Sequence, residues 1–303
     1  QATHKLDWST APCVERTAKP ELTPRDGHIC SVLWFGARQD IVRVWFRTHI
    51  ENGWRPIHVT IARMAAPTSS PESDDFVLVD VAGYKIYFYK DGQQVWRSNV
   101  QVGKPYRSTP IFKSKITYVT FNPTWTVPPT ILRNDVLPKV KRDIGYLKKN
   151  NIRVLDNRGR ELDPKTIDWS KPGNITLRQD AGDDAALGQV VIRFPNDYAV
   201  YLHDTPHREL FSNEQRAFSS GCIRVERPLE LVERLMNDPE KWNRAAIDQV
   251  IATGKTRNVD LAKPVPVLLA YWTIDLFEDG DISFKPDIYD RDAAVLKALN
   301  ARL

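Results

Sequence analysis

No run of about 18 consecutive apolar residues occurs in this 303-residue chain, so no membrane-spanning helix is expected. The chain opens on Gln1 without a charged-then-apolar leader, as expected if a signal peptide has been removed or the polypeptide shortened. Basic residues exceed acidic ones only modestly, at net charge +5, and are dispersed. Without a basic cluster or a recognisable module, nucleic-acid binding is not expected. The small excess could favour an anionic polymer, and a solvated surface explains it equally well. His28, His49 and His58 lack a matching cysteine or carboxylate pattern, so neither a metal site nor a cofactor is expected. Cysteine is scarce, with 3 residues. Cys13 and Cys30 lie in the Pro-rich N-terminal stretch, while Cys222 stands apart. In an oxidising compartment the first two could bridge, adding about 3 kcal/mol by loop closure and leaving Cys222 as the odd thiol. Three free thiols is the alternative. What the chain does have is 42% hydrophobic and 27% charged residues, enough for a core in one large domain or two.

Two neighbouring stretches concentrate the chemistry: Tyr201-Leu202-His203-Asp204-Thr205-Pro206 and Phe218-Ser219-Ser220-Gly221-Cys222-Ile223-Arg224. The aromatic and β-branched run 197–202 predicts a strand ending at His203. Cys222 lies in a small-residue turn where Gly221 permits close backbone approach. Apolar spacing predicts a helix from Pro228 to Leu235. Its N-terminal end, nearby N–H groups and the Arg224 cation together predict a lowered thiol pKa. His203 within reach would make a Cys/His nucleophilic pair. A lone cysteine is more often a small core residue and a lone histidine a hydrogen-bonded structural one, so spacing alone leaves both readings open.

Along the rest of the chain, residues 1–66 predict a few strands of unassigned role, and 67–75 reads as a linker. Short strands follow at 76–81, 84–89, 94–100 and 190–194, with Asp91-Gly92 as a hairpin turn and a late strand near 268–274. This pattern predicts a mostly β protein with α elements, as a largely antiparallel β-sandwich. Residues 130–186 change to helical periodicity with a basic run at 139–142, which by itself marks only a solvated face. A helical tail is expected in 278–303. Trp125, in Asn122-Pro123-Thr124-Trp125-Thr126-Val127-Pro128-Pro129, fits a groove wall or a core position.

The His-Asp-Thr-Pro and Ser-Ser-Gly-Cys motifs resemble the catalytic core of the L,D-transpeptidases (YkuD type), in wording close to their large periplasmic, YcbB-like branch. Val102-Gly103-Lys104-Pro105 with Thr109-Pro110, and the Asn122–Pro129 segment, are similar to further family signatures. Many relatives carry Ser-His-Gly-Cys, whereas Ser220 stands here, leaving His203 as the base. The resemblance covers 76–277 and implies a YkuD-like sandwich with 130–186 as an inserted, partly helical lid. It implies a periplasmic enzyme that takes peptidoglycan tetrapeptide stems as donor and acceptor, with cell-wall synthesis proteins as potential partners. Cys222 would be the nucleophile and His203 the general base. Gly221 and Cys222 N–H groups would hold the oxyanion, Tyr201 would assist, and Ser219 and Ser220 would shape the turn. Arg224 would pair with a stem carboxylate, a structural salt bridge being its alternative, and Trp125 would line the groove. A cell-wall cysteine carboxypeptidase using water, and a non-catalytic peptidoglycan-binding protein, are the rival readings.

Overall fold

The computed structural model describes residues 30–35, 42–50, 53–61, 75–276 and 282–300. The chain divides into two compact units, Asp74–Tyr271 and a second made of Gln1–Ser73 with Trp272–Leu303. In the second unit β1 (Cys30–Phe35), β2 (Val42–Ile50) and β3 (Gly53–Ile61) form an antiparallel sheet. A Cys13–Cys30 bridge lies outside the described residues.

The larger unit begins with β4 (Phe76–Asp80), β5 (Lys85–Lys90) and β6 (Gln93–Gly103). Next come β7 (Phe112–Phe121) and β8 (Trp125–Thr126). Helices α1 (Pro129–Ile131), α2 (Leu137–Arg142) and α3 (Gly145–Lys149) follow. Then come β9 (Ile152–Leu155), β10 (Glu161–Leu162) and β11 (Thr176–Gln179). The chain returns through β12 (Val190–Arg193), β13 (Leu202–His203), β14 (Ala217–Ser219) and β15 (Ile223–Val225). Helices α4 (Pro228–Met236) and α5 (Arg244–Ala252) precede the long β16 (Arg257–Ala270). The hairpin β17 (Ile274–Leu276) and β18 (Ile282–Phe284), then α6 (Asp292–Asn300), belong to the other unit.

The protein is mostly β, with one 9-stranded sheet ordered β14-β6-β15-β13-β12-β7-β16-β4-β5. Because β5 also pairs with β6, the strands from β6 round to β5 form a closed ring, with β14 attached outside it. Closure satisfies strand edges that an open sheet would expose. Most pairings are antiparallel; β13–β15, β14–β6 and β16–β4 are parallel. Val77, Val79, Ile86, Val100, Val119, Ile192, Leu202, Ile223 and Leu269 are fully buried, as alternation on strands with one core face requires.

Residues between β7 and β12 build a separate layer. A 4-stranded sheet, β10-β9-β11-β8, packs with the helices around Val127, Val136, Val140, Leu147, Ile152, Val154 and Leu177. Pro138 is the second residue of α2 and cannot donate to the turn before it, and that turn, at Leu132–Val136, is π-helical and runs straight into α2. The predicted helix is interrupted at Asp143, whose extended backbone ends α2 while its carboxylate accepts from the Gly145 N–H.

Asn122 anchors the exit from β7. It takes a left-handed φ of 45°, and its Nδ2 donates to the carbonyls of Val250, Ile251 and Lys255 at 3.3, 3.0 and 3.2 Å. It therefore closes the C-terminal end of α5, where carbonyls lack helical partners. Asn122→Ala should destabilise the protein by about 2–3 kcal/mol, from a strained left-handed backbone plus the loss of the buried amide's bonds to the three carbonyls. Thermal unfolding reads this directly, and an unchanged midpoint would discount the cap.

Candidate active site

The strand predicted over 197–202 is observed only at Leu202–His203. Asn196 redirects the chain: its Oδ1 accepts from the N–H groups of Tyr198 and Val200, and Ala199 takes φ 54°. β-Propensity thus loses to an Asn-centred turn. The short β13 lies parallel to β15, with Leu202 opposite Ile223 and His203 opposite Arg224. Leu202 and Ile223 are fully buried on one face. By alternation Tyr201, His203, Cys222 and Arg224 share the opposite face.

The cysteine turn is held from beneath. Thr109 is buried, and its hydroxyl donates to the Gly221 carbonyl at 2.9 Å while accepting the Gly103 N–H at 2.9 Å. A Cβ on Gly103 would stand 2.1 Å from the Arg107 carbonyl, so only glycine lets this loop fold under the turn. The Lys104 N–H donates to the Ser219 carbonyl. The Ser219 hydroxyl donates to the Cys222 carbonyl and accepts the Gly221 N–H at 3.1 Å. The expected oxyanion donor at Gly221 is therefore already spent on Ser219; with its φ of 114°, Gly221 shapes the turn instead.

Cys222 Sγ is half-buried. It lies 3.9 Å from the Ala199 carbonyl, and both the main chain and hydroxyl of Tyr201 hydrogen-bond to it. Burial pushes the thiol pKa up, against the opposing pull of Tyr201, Arg224 and Arg193. This overturns the expected lowering. The helix α4 starts only at Pro228, with β15 interposed, so its positive end does not reach the sulfur, and desolvation wins. Tyr201 is held well above its ordinary value by burial, then by the neighbouring thiol.

His203 is buried, and its Nδ1 meets the Asp204 carbonyl. A carbonyl only accepts, so Nδ1 carries the proton and Nε2 the free lone pair. Burial, reinforced by Arg224 and Arg193, pushes its pKa down to about 3. The ring stands edge-on to Tyr201 with centroids 5.7 Å apart, and its hydrogen bond goes to Asp204 rather than to the thiol. The site rests as neutral thiol and neutral imidazole. Asp204 is structural: Oδ2 accepts from the Gln189 N–H at 3.0 Å and from Arg208 at 3.3 Å.

A match to the family model of the L,D-transpeptidase catalytic domain (YkuD) spans residues 74–266. The chain belongs to the L,D-transpeptidase family. It is 38% identical over 228 residues to a curated protein of Haemophilus influenzae named "Putative L,D-transpeptidase", covering 74% of this chain and 46% of that one. The chain thus spans about half the length of that relative. Among solved structures, an Enterococcus faecium L,D-transpeptidase mutant aligns at TM-score 0.33 and 13% identity, covering 71% of this chain and 56% of that one. Mycobacterium tuberculosis L,D-transpeptidase 3 aligns at TM-score 0.31 and 10% identity, covering 80% and 79%.

Against this L,D-transpeptidase assignment, two further site residues went unmarked in the sequence. Gln101 on β6, fully buried, accepts from Arg224 Nη1 at 3.1 Å and donates to the His207 carbonyl at 3.2 Å. Arg193 on β12 lays its guanidinium 4.7 Å from the Tyr201 ring centroid. Neither has a motif signal, because strand register alone brings them to the cysteine face. Ser220 is exposed and accepts from Arg107 Nη1 at 2.9 Å; the same nitrogen pairs with Asp135 at 2.7 Å. That arginine ties the inserted layer to the cysteine turn. Trp125 lies on β8 opposite Gln179, half-buried against the core of the inserted layer. No group of three or more metal-ligating side chains occurs among the described residues.

Proposed function

We propose that this protein is a peptidoglycan L,D-transpeptidase that forms 3→3 cross-links through a Cys222 thioester. The placement of Tyr201, His203, Cys222 and Arg224 on one face of two adjoining strands is the observation that carries this reading. The Cys222 proton passes to His203 as sulfur adds to the diaminopimelyl carbonyl of a tetrapeptide donor. The carbon–nitrogen bond breaks, D-alanine leaves with the proton on its amine, and a thioester remains. The side-chain amine of a second stem attacks, the new amide forms, and the thiol regains its proton. A neutral resting pair suits this route, because ionisation is delayed until substrate displaces water and brings the groups together. The Cys222 N–H and the Tyr201 hydroxyl stabilise the oxyanion, and loss of one such donor costs about 3–4 kcal/mol of barrier. The site of action is the periplasm; among the described residues no helix is long and apolar enough to cross a membrane.

Incubation with disaccharide-tetrapeptide should give dimer and free D-alanine in equal amounts. D-Alanine without dimer would identify a carboxypeptidase, and neither product would identify a binding protein. A carbapenem, whose strained carbonyl invites the same attack, should add once, at Cys222; intact-mass spectra showing the adduct elsewhere would refute that.

Residues 130–186 serve as a lid that positions stems, supported by the separate core they form with Trp125 and Val127 and by the Arg107 bridge from Asp135 to Ser220. Replacing them with a Gly/Ser bridge should reduce cross-linking at least about tenfold more than it reduces carbapenem acylation, in protein shown to be folded by circular dichroism. Equal losses would assign the segment to core support.

A further inference from the structure

Two guanidinium groups flank the reactive sulfur without an anionic partner. Among the described residues neither Arg193 nor Arg224 joins an ion pair. The Nε of each is buried and lacks any hydrogen-bond partner. Their situations differ. Arg224 has one nitrogen committed to Gln101. The Arg193 side chain rests on the Tyr201 ring and has no hydrogen-bond partner among the described residues, although its charge acts on Tyr201, His203 and Cys222 together. Buried guanidinium donors are normally satisfied, so an orphaned one beside the site calls for a partner, and the partner a guanidinium binds most strongly is a carboxylate. The remaining neighbours of Arg193 at the site are neutral: a phenol, an imidazole and a thiol.

We propose that Arg193 reads a carboxylate of the donor stem that adjoins the scissile bond, so that the site selects a peptide ending in a free acid. This rests on the transpeptidase reading. A tetrapeptide donor offers two such groups: the carboxylate of its terminal alanine and the one on the side chain of its third residue. The terminal one sits beside the bond that breaks, and Arg193 stacks on the tyrosine that touches the sulfur. That geometry favours the terminal carboxylate. Arg193 thereby orients the scissile carbonyl toward Cys222, while Gln101 keeps Arg224 aimed from the other side.

The test crosses the wild type, Arg193→Gln and Arg193→Lys with three disaccharide-tetrapeptide donors: the free acid, its C-terminal amide and its third-residue side-chain amide. kcat/KM for release of the terminal residue is measured for each combination. Loss of a charge-assisted pair is expected to lower the rate about 10- to 100-fold for Arg193→Gln on the free acid. The wild type should lose a similar factor on the C-terminal amide, where Arg193→Gln should add less than about threefold, and Arg193→Lys should fall between. Cancellation on the side-chain amide instead would support the same recognition with the third-residue carboxylate as its object. A uniform loss on all three donors would overturn the proposal in favour of simple support for Tyr201, and no loss on any would overturn it outright. If Arg193→Gln fails to fold, the acid-to-amide ratio of Arg193→Lys decides in the same way. Absence of turnover by the wild type on every donor would instead contradict the transpeptidase reading.

Discussion

Cys222→Ala should abolish dimer formation, with a loss of at least about ten-thousand-fold, while leaving the fold intact. Removing a group that carries the covalent step eliminates the pathway rather than weakening one contact within it. The structural cost is small because the sulfur has few obligations. It makes a long contact to the Ala199 carbonyl and takes its other hydrogen bonds from Tyr201. The turn itself is held through Ser219, Gly221 and Thr109, none of which depends on the thiol. Stability should therefore change by no more than about 1 kcal/mol. Thermal unfolding and dimer yield are measured on one preparation. Retention of more than a few per cent of the rate would remove Cys222 as nucleophile.

His203→Gln should lower cross-linking by about 10²–10⁴-fold, the usual contribution of a positioned base. The same substitution has a signature unrelated to turnover. The folded pKa of His203 is depressed to about 3, whereas an unfolded histidine titrates near 6.5. Between those values the unfolded chain binds the proton and the folded one does not. Its stabilising contribution is thus complete above about pH 6.5 and is lost as pH falls toward 3, at up to about 1.4 kcal/mol per pH unit. Denaturant titrations from pH 7 to 4 should show the wild type losing stability more steeply than His203→Gln. Parallel curves would mean that the imidazole is not held neutral by burial between Arg193 and Arg224.

The sequence made the cysteine and histidine visible because their motifs are local, and the residues beside them fall on the same face by simple alternation. Arg193 and Gln101 were invisible for the opposite reason. Each occupies an ordinary strand position, and its relevance depends on β12 and β6 lying beside β13 and β15. The predicted strand over 197–202 failed because aromatic and β-branched content was outweighed by one asparagine whose side chain closes a turn. The predicted thiolate failed because it placed a helix end at Cys222, where β15 intervenes, and ignored how far the sulfur is packed in. A mostly β architecture followed from strand-like runs and polar turns. Closure of the ring did not, since the β4–β16 pair joins Val77 to Val267 and no local pattern announces so distant a partner.

Thr109 and Gly103 show how a motif can be functional without touching substrate. Both support the Gly221 carbonyl and the loop beneath it, so their chemistry is that of a mould for the Cys222 turn. Asn122 similarly serves by closing a helix rather than by facing the site.

The most direct measurement is intact-mass spectrometry of the protein quenched in acid during turnover of disaccharide-tetrapeptide, followed by peptide mapping. The expected result is a single adduct on Cys222 with the mass of the donor less alanine, which disappears as dimer accumulates when acceptor is added. Dimer forming without any adduct, or an adduct mapping to another residue, would contradict a Cys222 acyl-enzyme.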